Sequence, residues 1–465
     1  MKKKLAAFSL AAMLAAGAAV PTAVIAKPIE TGYTQVLDQF DKKAIRKIDV
    51  DRIYNHIAVL SEAPRVAGTD VEDRAADYLR NEFKSYGYEV EVQPFTFTGY
   101  TEPTRLSLTV DGKSGFSPGN FTYGISGDVT AVLADGGLGT PADLEKADVS
   151  GKIAVIRRGD ISFAEKVINA SRAGAVGVIL YNNTAGPLSG TLGNHDDELI
   201  PAVSLTLAEG EAVLAQLASD PGTKAHLLIE GAETSERTSH NVIATKKPTN
   251  KQKDTGDIIA ISSHMDSVPG APGANDNASG TAVTLELARV MKNLPSDTEI
   301  RFMSFGAEEL GLLGSRHYVS ELTEEEKDRM IANFNLDMVG SRDAGDLTMW
   351  TVDGQANLVT DLSQDSSERL NGKATPFAAG GRSDHVPFHE AGIPAALFIH
   401  SPTEPWYHSP EDTLDKISKE KLEDTAKIVA TAVYDRARFD NQNRKDKKRV
   451  ENKVLIDAFY EEALR

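Results

Sequence analysis

Short apolar runs and helix-like stretches alternate along the second half of the chain. The runs 257–262 and 300–305 are largely apolar, and residues 277–294 between them have the spacing of a buried helix. Apolar strands that alternate with helices are typical of an α/β fold, with a mainly parallel mixed sheet flanked by helices on both faces. Because ligands of such sheets bind outside the carboxyl ends of the strands, we expect functional residues where these strands end.

The stretch GKIAVIRRGDISFAEKVINASRAGAVGVILYNN (residues 151–183) reads as strand, helix, strand. It lies in a segment, residues 125–238, that resembles the protease-associated (PA) domain, a small α/β module inserted into several peptidases and receptors. A generic α/β insert is the alternative, and neither has a catalytic duty. We therefore predict one α/β domain in two parts, residues 48–124 and 239–439, with the PA domain inserted between them.

The two ends of the chain have patterns of their own. Residues 1–26 combine three lysines, an apolar run and small residues before Ala26, which is the pattern of a secretory signal peptide cleaved after that residue. We expect residues 27–47 to be an N-terminal segment or propeptide. Residues 440–465 are predicted to form a basic amphipathic tail that packs on the body of the protein.

Charge and cysteine content exclude several classes of function. The 465-residue chain has a formal net charge of −18, which becomes −21 when the three lysines of the leader are removed. This acidity argues against nucleic acid and anionic membranes as partners and favours cationic ligands such as peptide N-termini. The sequence contains no cysteine, so disulfides, thiolate ligands and a lipid-anchored cysteine are excluded. A bound transition metal must therefore use nitrogen and oxygen donors.

Residues that can bind a metal follow the predicted strands. They are His264 and Asp266 in SSHMDS, Asp276 in GANDNASG, Glu308 and Glu309 in GAEELGLLGS, Asp337 in NLDMVG, and Tyr407 and His408 in WYHSPEDT. Each has a simple structural explanation on its own, such as turn formation for Asp276. No such explanation accounts for their coincidence at consecutive strand ends, because burying clustered carboxylates without a cation costs free energy.

Two imidazoles and three carboxylates form a donor set for two zinc ions that share one bridging carboxylate. One of the neighbours Glu308 and Glu309 then remains free. A carboxylate beside a metal-activated water can act as its general base. The residues therefore predict a metal-dependent hydrolase in which one glutamate binds zinc and its neighbour takes a proton.

The motifs HMDSVPGAPGANDNASG, GAEELGLLGS, NLDMVG, GGRSDHVPFHEAGIP and YHSPEDT resemble those of the secreted bacterial dizinc aminopeptidases (leucyl-type) of metallopeptidase family twenty-eight. The resemblance spans most of residues 48–435, and members of this family carry a PA insert. It implies the dizinc exopeptidase fold, which is similar to that of phosphorylase and hydrolase proteins. Residues 48–124 and 239–439 would be the two parts of the peptidase domain, with the metal site in the second. It also implies a cis peptide bond between Asp276 and Asn277.

The resemblance further implies a role for each matching residue. The implied zinc ligands are His264 and Asp337 for one ion, Glu309 and His408 for the other, and Asp276 as the bridge. Glu308 would be the general base, Tyr407 would stabilise the oxyanion, and Asp266 would fix the imidazole of His264. Arg382 and Asp384 belong to a loop that lines the amine end of the substrate in relatives.

The expected protein is a secreted zinc aminopeptidase that hydrolyses the N-terminal residue from peptides. A related dizinc carboxypeptidase or aminoacylase would show another carboxylate spacing and an inserted dimerisation domain. A cyclase on the same fold would bind a single zinc and release no free amino acid. A catalytically silent binding protein would have lost ligands, whereas every expected ligand position is filled here.

The expected cofactor is two Zn²⁺ per chain, and Co²⁺ suits the same donors. The sequence leaves a structural Ca²⁺ open. The expected partners are peptides with a free N-terminus, with no nucleic acid and no membrane. We expect a monomer that is secreted after removal of its signal peptide.

Overall fold

The protein is described by a computed structural model that covers residues 39–193 and 196–438 together with residue 37. The predicted signal peptide and C-terminal tail lie outside these residues. The helices are α1 (Gln39–Ile45), α2 (Val50–Leu60), α3 (Asp70–Ser85), α4 (Pro141–Ala147), α5 (Phe163–Arg172), α6 (Leu207–Ser219), α7 (Ala278–Met291), α8 (Leu313–Glu321), α9 (Glu324–Arg329), α10 (Leu358–Asn371), α11 (His385–Glu390) and α12 (Lys419–Ala437). Among the described residues, no helix combines the length and apolar character needed to cross a membrane.

The strands form two sheets. They are β1 (Glu89–Thr101), β2 (Arg105–Val110), β3 (Gly127–Asp135), β4 (Ile153–Arg157), β5 (Gly177–Tyr181), β6 (Ala202–Leu205), β7 (Lys224–Glu230), β8 (Glu233–Lys246), β9 (Ile258–His264), β10 (Glu299–Phe305), β11 (Met330–Leu336), β12 (Asp346–Thr351), β13 (Phe377–Ala379) and β14 (Ala395–Ser401). The larger sheet has the order β1-β8-β10-β9-β11-β14-β12-β13, and the smaller has the order β2-β7-β3-β4-β5-β6.

The centre of the larger sheet is parallel and its flanks are mixed. β10, β9, β11 and β14 pair in parallel, whereas β8 pairs antiparallel with β1 and β10, and β12 pairs antiparallel with β14. Such a sheet with helices on both faces is the mixed α/β fold that the alternation of strands and helices predicts.

Both faces of the larger sheet are covered, which explains the continuous apolar runs of its central strands. In β9, Ile259 and Ile261 belong to the core beneath α2, α3, α7 and α12. Ile258 belongs to the opposite core, which includes Tyr318 of α8 and Phe388 of α11. Helix α7 is buried along its length except at Arg289, so the helix that follows Asp276 and Asn277 is embedded in the core.

The smaller sheet has cores of its own on both faces. Ala154 and Ile156 of β4 pack with α4 and α5, whereas Ile153 and Val155 pack on the face covered by Val213 of α6. All of its strands lie in the chain between β1 and β8. These two strands pair antiparallel along their full length, so the chain leaves the larger sheet and returns to it at the same place.

Candidate metal centre

Neighbouring parallel strands deliver the predicted ligands to one edge of the larger sheet. β9 ends at His264, and Asp337 follows β11 directly. Glu308 and Glu309 follow β10, and His408 lies in the loop after β14. Because parallel strands end at the same edge, these side chains meet there.

The turn after β10 fixes the main chain of both glutamates. Ala307 and Leu312 have left-handed backbone angles, with φ of 52° and 64°. The amide of Leu312 donates to the carbonyl oxygen of Glu308 at 2.7 Å. The carboxylate of Asp266 accepts hydrogen bonds from the amides of Glu308 at 3.0 Å and Glu309 at 3.2 Å. The turn is therefore held through its main chain, which leaves both glutamate side chains free for chemistry.

Asn277 connects Asp276 to the end of β11. The peptide bond between Asp276 and Asn277 is cis, as the family resemblance implies. The side chain of Asn277 accepts from the amide of Gly280 at 2.9 Å, which caps α7, and donates to the carbonyl oxygen of Leu336 at 2.8 Å. Asp276 is thus held at the start of α7 and beside the strand that precedes Asp337.

The carboxylate of Asp276 lies between two imidazoles. Its Oδ1 is 3.3 Å from Nε2 of His264, and its Oδ2 is 3.1 Å from Nε2 of His408. Nε2 of His264 is also 3.3 Å from Oδ1 of Asp337, and Nε2 of His408 is 3.1 Å from Oε2 of Glu309. The five residues form two clusters that share Asp276.

The spacing of these donor atoms fits zinc. Donors at zinc–ligand distance from one tetrahedral ion lie about 3.3 Å apart, whereas charge-assisted hydrogen bonds are about 2.7–2.9 Å long. The separations of 3.1 to 3.3 Å match the former. Oε1 of Glu309 is buried and has no hydrogen-bond partner among the described residues. The groups His264–Asp276–Asp337 and Asp276–Glu309–His408 can each hold a metal ion.

The electrostatics of the clusters favour a cation. Burial disfavours a charged His408, but its bonds to Asp276 and Glu309 outweigh this and raise its pKa to about 10. Burial likewise opposes the charged form of His264, yet Asp337 and other carboxylates raise its pKa well above the ordinary value. Burial and the charge of Asp276 raise the pKa of Glu309 to about 7. The carboxylates of the site thus attract protons to its imidazoles, and metal ions could take the place of those protons.

Glu308 lies beside these clusters, is 8% exposed and lines the cleft. Burial raises the pKa of its carboxyl well above the usual range, the charge of His264 opposes this, and Asp384 adds to it. A carboxylate whose proton affinity is raised in this way is suited to take a proton from water and to return it to a leaving group.

The clusters open into a cleft of about 400 Å³. Its lining residues are Asp276, Glu308, Glu309, Leu310, Gly311, Leu312, Asp337, Met338, Arg382 and Tyr407. Tyr407 is 45% exposed, and its ring stacks on that of His408 with centroids 3.7 Å apart. Asp384 has no exposed surface; burial raises its pKa to about 7, while the charge of His264 opposes the shift. Of the predicted substrate-binding pair, only Arg382 is therefore at the surface of the cleft.

Two acidic residues that the sequence analysis did not single out hold the segment before Asp276. Asp412 accepts hydrogen bonds from the amides of Asn275 at 2.8 Å and Asp276 at 3.0 Å. Glu404 accepts one from the side chain of Asn275 at 2.7 Å. Both lie in the loop that carries His408, so they join the two metal-binding segments. The only signal for Asp412 was its place in the motif YHSPEDT.

Comparison with known proteins identifies the class. Residues 241–433 match peptidase family M28, and residues 125–213 match the PA domain. Aminopeptidase YwaD of Bacillus subtilis (strain 168) is 42% identical over 416 residues, which cover 86% of this chain and 88% of the relative. The chain therefore belongs to peptidase family M28, is a hydrolase that acts on peptides, and carries a PA domain.

Solved structures agree with this assignment. An aminopeptidase from Aneurinibacillus sp. strain AM-1 is 56% identical with a TM-score of 0.73, and the match covers 86% of this chain and 96% of that one. BSAP, a zinc aminopeptidase from Bacillus subtilis, is 42% identical with a TM-score of 0.66, over 84% of this chain and 96% of that one. The predicted fold and the family resemblance are thus confirmed.

Proposed function

We propose that the protein is a zinc-dependent aminopeptidase that removes the N-terminal residue from peptides. The observation that carries this proposal is the position of Asp276 between His264 and His408, at 3.3 Å and 3.1 Å, with a further carboxylate at each imidazole. The names of the relatives, an aminopeptidase and a zinc aminopeptidase, support the same activity.

In this proposal five residues hold two zinc ions per chain. One ion would be held by His264, Asp276 and Asp337, and the other by Asp276, Glu309 and His408. When bound, such ions polarise a scissile carbonyl and lower the pKa of water toward neutrality. Co²⁺ can occupy the same nitrogen and oxygen donors.

In this proposal Glu308 transfers the proton and Tyr407 stabilises the oxyanion. The Glu308 carboxylate accepts the proton of the attacking water and later donates it to the amine that leaves. The O–H of Tyr407 donates a hydrogen bond to the oxyanion that forms at the former carbonyl. Burial, together with the charge of Asp276, raises the pKa of Tyr407, so the phenol keeps its proton for this purpose at neutral pH.

In this proposal Asp266 orients the His264 imidazole and the turn of Glu308, and it does not contact the substrate. Its Oδ1 is 3.4 Å from Nδ1 of His264, and the same carboxylate binds the amides of Glu308 and Glu309. One side chain thus sets the direction of a metal-binding imidazole and of the proposed base.

The charge of the cleft explains why cleavage would stop after one residue. Its carboxylates favour the cationic α-amine of a peptide N-terminus. Arg382, exposed in the lining, is proposed to contact the substrate, and Asp384 to support the amine end from its buried position. A peptide without a free amine would lack the group that this charge selects.

The alternatives are disfavoured by the site. A cyclase with a single zinc would not require the second cluster around His408. A silent binding protein would not require the complete ligand set. A carboxypeptidase or aminoacylase on a related fold would require a strongly cationic pocket for the substrate carboxylate, whereas the lining of this cleft has four carboxylates and one cation, Arg382.

We further propose that the chain is exported through the signal peptide of residues 1–26 and acts as a monomer. The pattern of lysines, apolar run and small residues supports export. N-terminal sequencing of protein from the culture medium tests this point, and the expected result is a chain that begins at Lys27, or near residue 48 where residues 27–47 are removed as a propeptide.

The proposed function is tested by a paired assay. Zinc per chain is measured beside the release of leucine from a leucyl peptide with and without an N-terminal acetyl group. Two zinc ions with hydrolysis of only the free peptide is the expected result. Equal cleavage of the acetylated peptide would show that the enzyme belongs to another class of peptidase. A protein that binds no zinc and cleaves neither peptide would contradict the proposal.

A further inference from the structure

Arg65 is a buried cation in the loop between α2 and α3, with 1% of its surface exposed. Among the described residues, its guanidinium donates hydrogen bonds only to main-chain carbonyl oxygens: Nε to Met265 at 2.6 Å, Nη1 to Leu60 at 2.6 Å and Pro272 at 2.6 Å, and Nη2 to Gly273 at 2.9 Å. A buried charge is costly unless it is well hydrogen-bonded. The planar fork of arginine can reach several carbonyls at once, which the single ammonium of lysine does less well.

Three of these carbonyls belong to the segment that joins two metal-binding residues. Met265 directly follows His264, and Gly273 lies shortly before Asp276. Arg65 therefore holds both ends of the segment 265–273. The main chain of Arg65 adds to this, since its amide donates to Oγ of Ser267 at 2.9 Å and its carbonyl oxygen accepts from the Ser267 amide at 3.1 Å.

The segment has little freedom to adopt another shape. Gly273 has a φ of 64°, and a Cβ there would meet the carbonyl oxygen of Asp276 and, at 2.9 Å, Nη2 of Arg65. On the other side, Asp412 binds the amides of Asn275 and Asp276. A buried cation thus binds the carbonyls of this segment, and a buried anion binds the amides of Asn275 and Asp276, which follow it.

The guanidinium of Arg65 keeps its charge although it is buried. Burial lowers the pKa of its guanidinium to about 10, and the carboxylates of Asp266, Asp412 and Asp276 oppose that shift. The group is therefore charged at neutral pH. Its hydrogen bonds to the four carbonyl oxygens are therefore charge-assisted, and such bonds hold a main-chain segment more firmly than bonds between neutral groups.

We propose that Arg65 is a positioning residue for the metal centre, which shapes the segment from Met265 to Gly273 so that His264 and Asp276 meet at ligand distance and zinc binds tightly. This inference rests on the proposed function in one respect, that the clusters bind zinc. It assigns no contact between Arg65 and substrate.

The test uses the full chain with Arg65→Lys and Arg65→Met. Zinc affinity is measured by competition with a chelator, the Tm is measured on metal-free protein, and kcat/KM is measured with and without excess zinc. We expect Arg65→Met to weaken zinc binding by about 10–100-fold, Arg65→Lys to restore part of the affinity, and excess zinc to recover activity in both.

Arg329→Met is the matched control. Arg329 also donates to a main-chain oxygen, that of Gly256 at 2.6 Å, but it lies before β11, away from the strand ends that carry the ligands. Its loss should lower the Tm of the metal-free protein and leave zinc affinity unchanged. An Arg65→Met variant that behaves like this control, with a lower Tm and unchanged zinc affinity, would overturn the inference.

Ser267→Ala keeps the inference testable where the Arg65 variants do not fold. It removes the hydroxyl that accepts from the Arg65 amide and donates to the carbonyl oxygen of Ala271 at 3.1 Å. Weaker zinc binding by Ser267→Ala supports the inference, and unchanged binding overturns it. A wild-type protein that binds zinc but does not cleave leucyl peptides would contradict the proposed function alone, whereas a wild-type protein that binds no zinc would overturn both.

Discussion

The phenol ring of Tyr407 stacks on the imidazole of His408, with centroids 3.7 Å apart and planes inclined by 24°. The contact fixes the direction of the hydroxyl relative to a metal-binding side chain. Tyr407→Phe keeps the stacked ring and removes only the O–H. Because one oxyanion donor is lost, we expect kcat to fall about 10²–10³-fold, with zinc content and KM near the wild-type values.

Tyr407→Ala is the control for this experiment, since it removes the ring as well as the hydroxyl. It should lose at least as much activity as Tyr407→Phe and also bind zinc less well, because His408 loses its neighbour. A Phe variant with wild-type kcat would remove Tyr407 from the oxyanion site.

The adjacent residues Glu308 and Glu309 should respond differently to the same substitution. Glu308→Gln removes the proposed base and leaves the ligands, so we expect two zinc ions and a kcat lower by about 10²–10⁴-fold. Glu309→Gln removes a ligand, so we expect a lower zinc content. Metal analysis beside steady-state kinetics measures both effects. Equal loss of zinc in the two variants would contradict this division of roles.

Asp266→Asn tests the residue that holds both the His264 imidazole and the turn of Glu308. The amide group cannot accept at both positions, so one of the two main-chain bonds is lost. We expect zinc affinity or kcat/KM to fall about 10–100-fold. The matched control is Asp128→Asn in the PA domain, where Asp128 contacts His226 at 2.7 Å. Identical zinc affinity in Asp266→Asn and the wild type would argue against an orienting role.

Zinc affinity should rise with pH. Without metal, burial opposes the charge on His408, but Asp276 and Glu309 raise its pKa to about 10, so the imidazole is protonated at neutral pH. Zinc must displace this proton, and the apparent affinity should therefore increase up to about tenfold per pH unit for each proton released. Calorimetry in buffers of different ionisation enthalpy counts the protons. Binding without proton release would contradict the raised pKa.

Arg382 offers a test of substrate binding. Its guanidinium is exposed in the cleft lining and can bind the carboxylate of a short peptide. Arg382→Ala should raise KM for a leucyl dipeptide by up to about fivefold, the scale of an exposed ion pair, and leave KM for leucyl amide unchanged. Arg382→Lys should give an intermediate value. Equal changes for both substrates would show that Arg382 does not bind the carboxylate.

The sequence predicts the central sheet well because its strands are buried on both faces. β9 and β10 appear as largely apolar runs, and the ligands follow at the strand ends. The pairing of β1 with β8 was not predicted, because the two strands are far apart in the chain and their register depends on contacts that local periodicity does not encode.

The residues that support the site were missed for a different reason. Arg65 and Glu72 are charged side chains in a polar stretch before and within α3, and such residues are usually exposed. In the structure Glu72 is buried and accepts from the hydroxyl of Ser239 at 2.7 Å and from the amide of Ala307, in the turn that carries Glu308, at 3.3 Å. These partners come from separate segments of the chain, so only the folded structure distinguishes a buried charge from a solvated one.

The register of β1 and β8, from Glu89 opposite Thr245 to Thr101 opposite Glu233, makes the PA domain the loop of a very large hairpin. The entropy of closing a loop grows only with the logarithm of its length, so replacing a tight turn of a few residues by one of about 130 costs about 3 kcal/mol. The PA domain offsets part of this through its own cores. A whole domain can therefore be gained or lost at this hairpin in evolution without any change to the strand order that builds the metal centre.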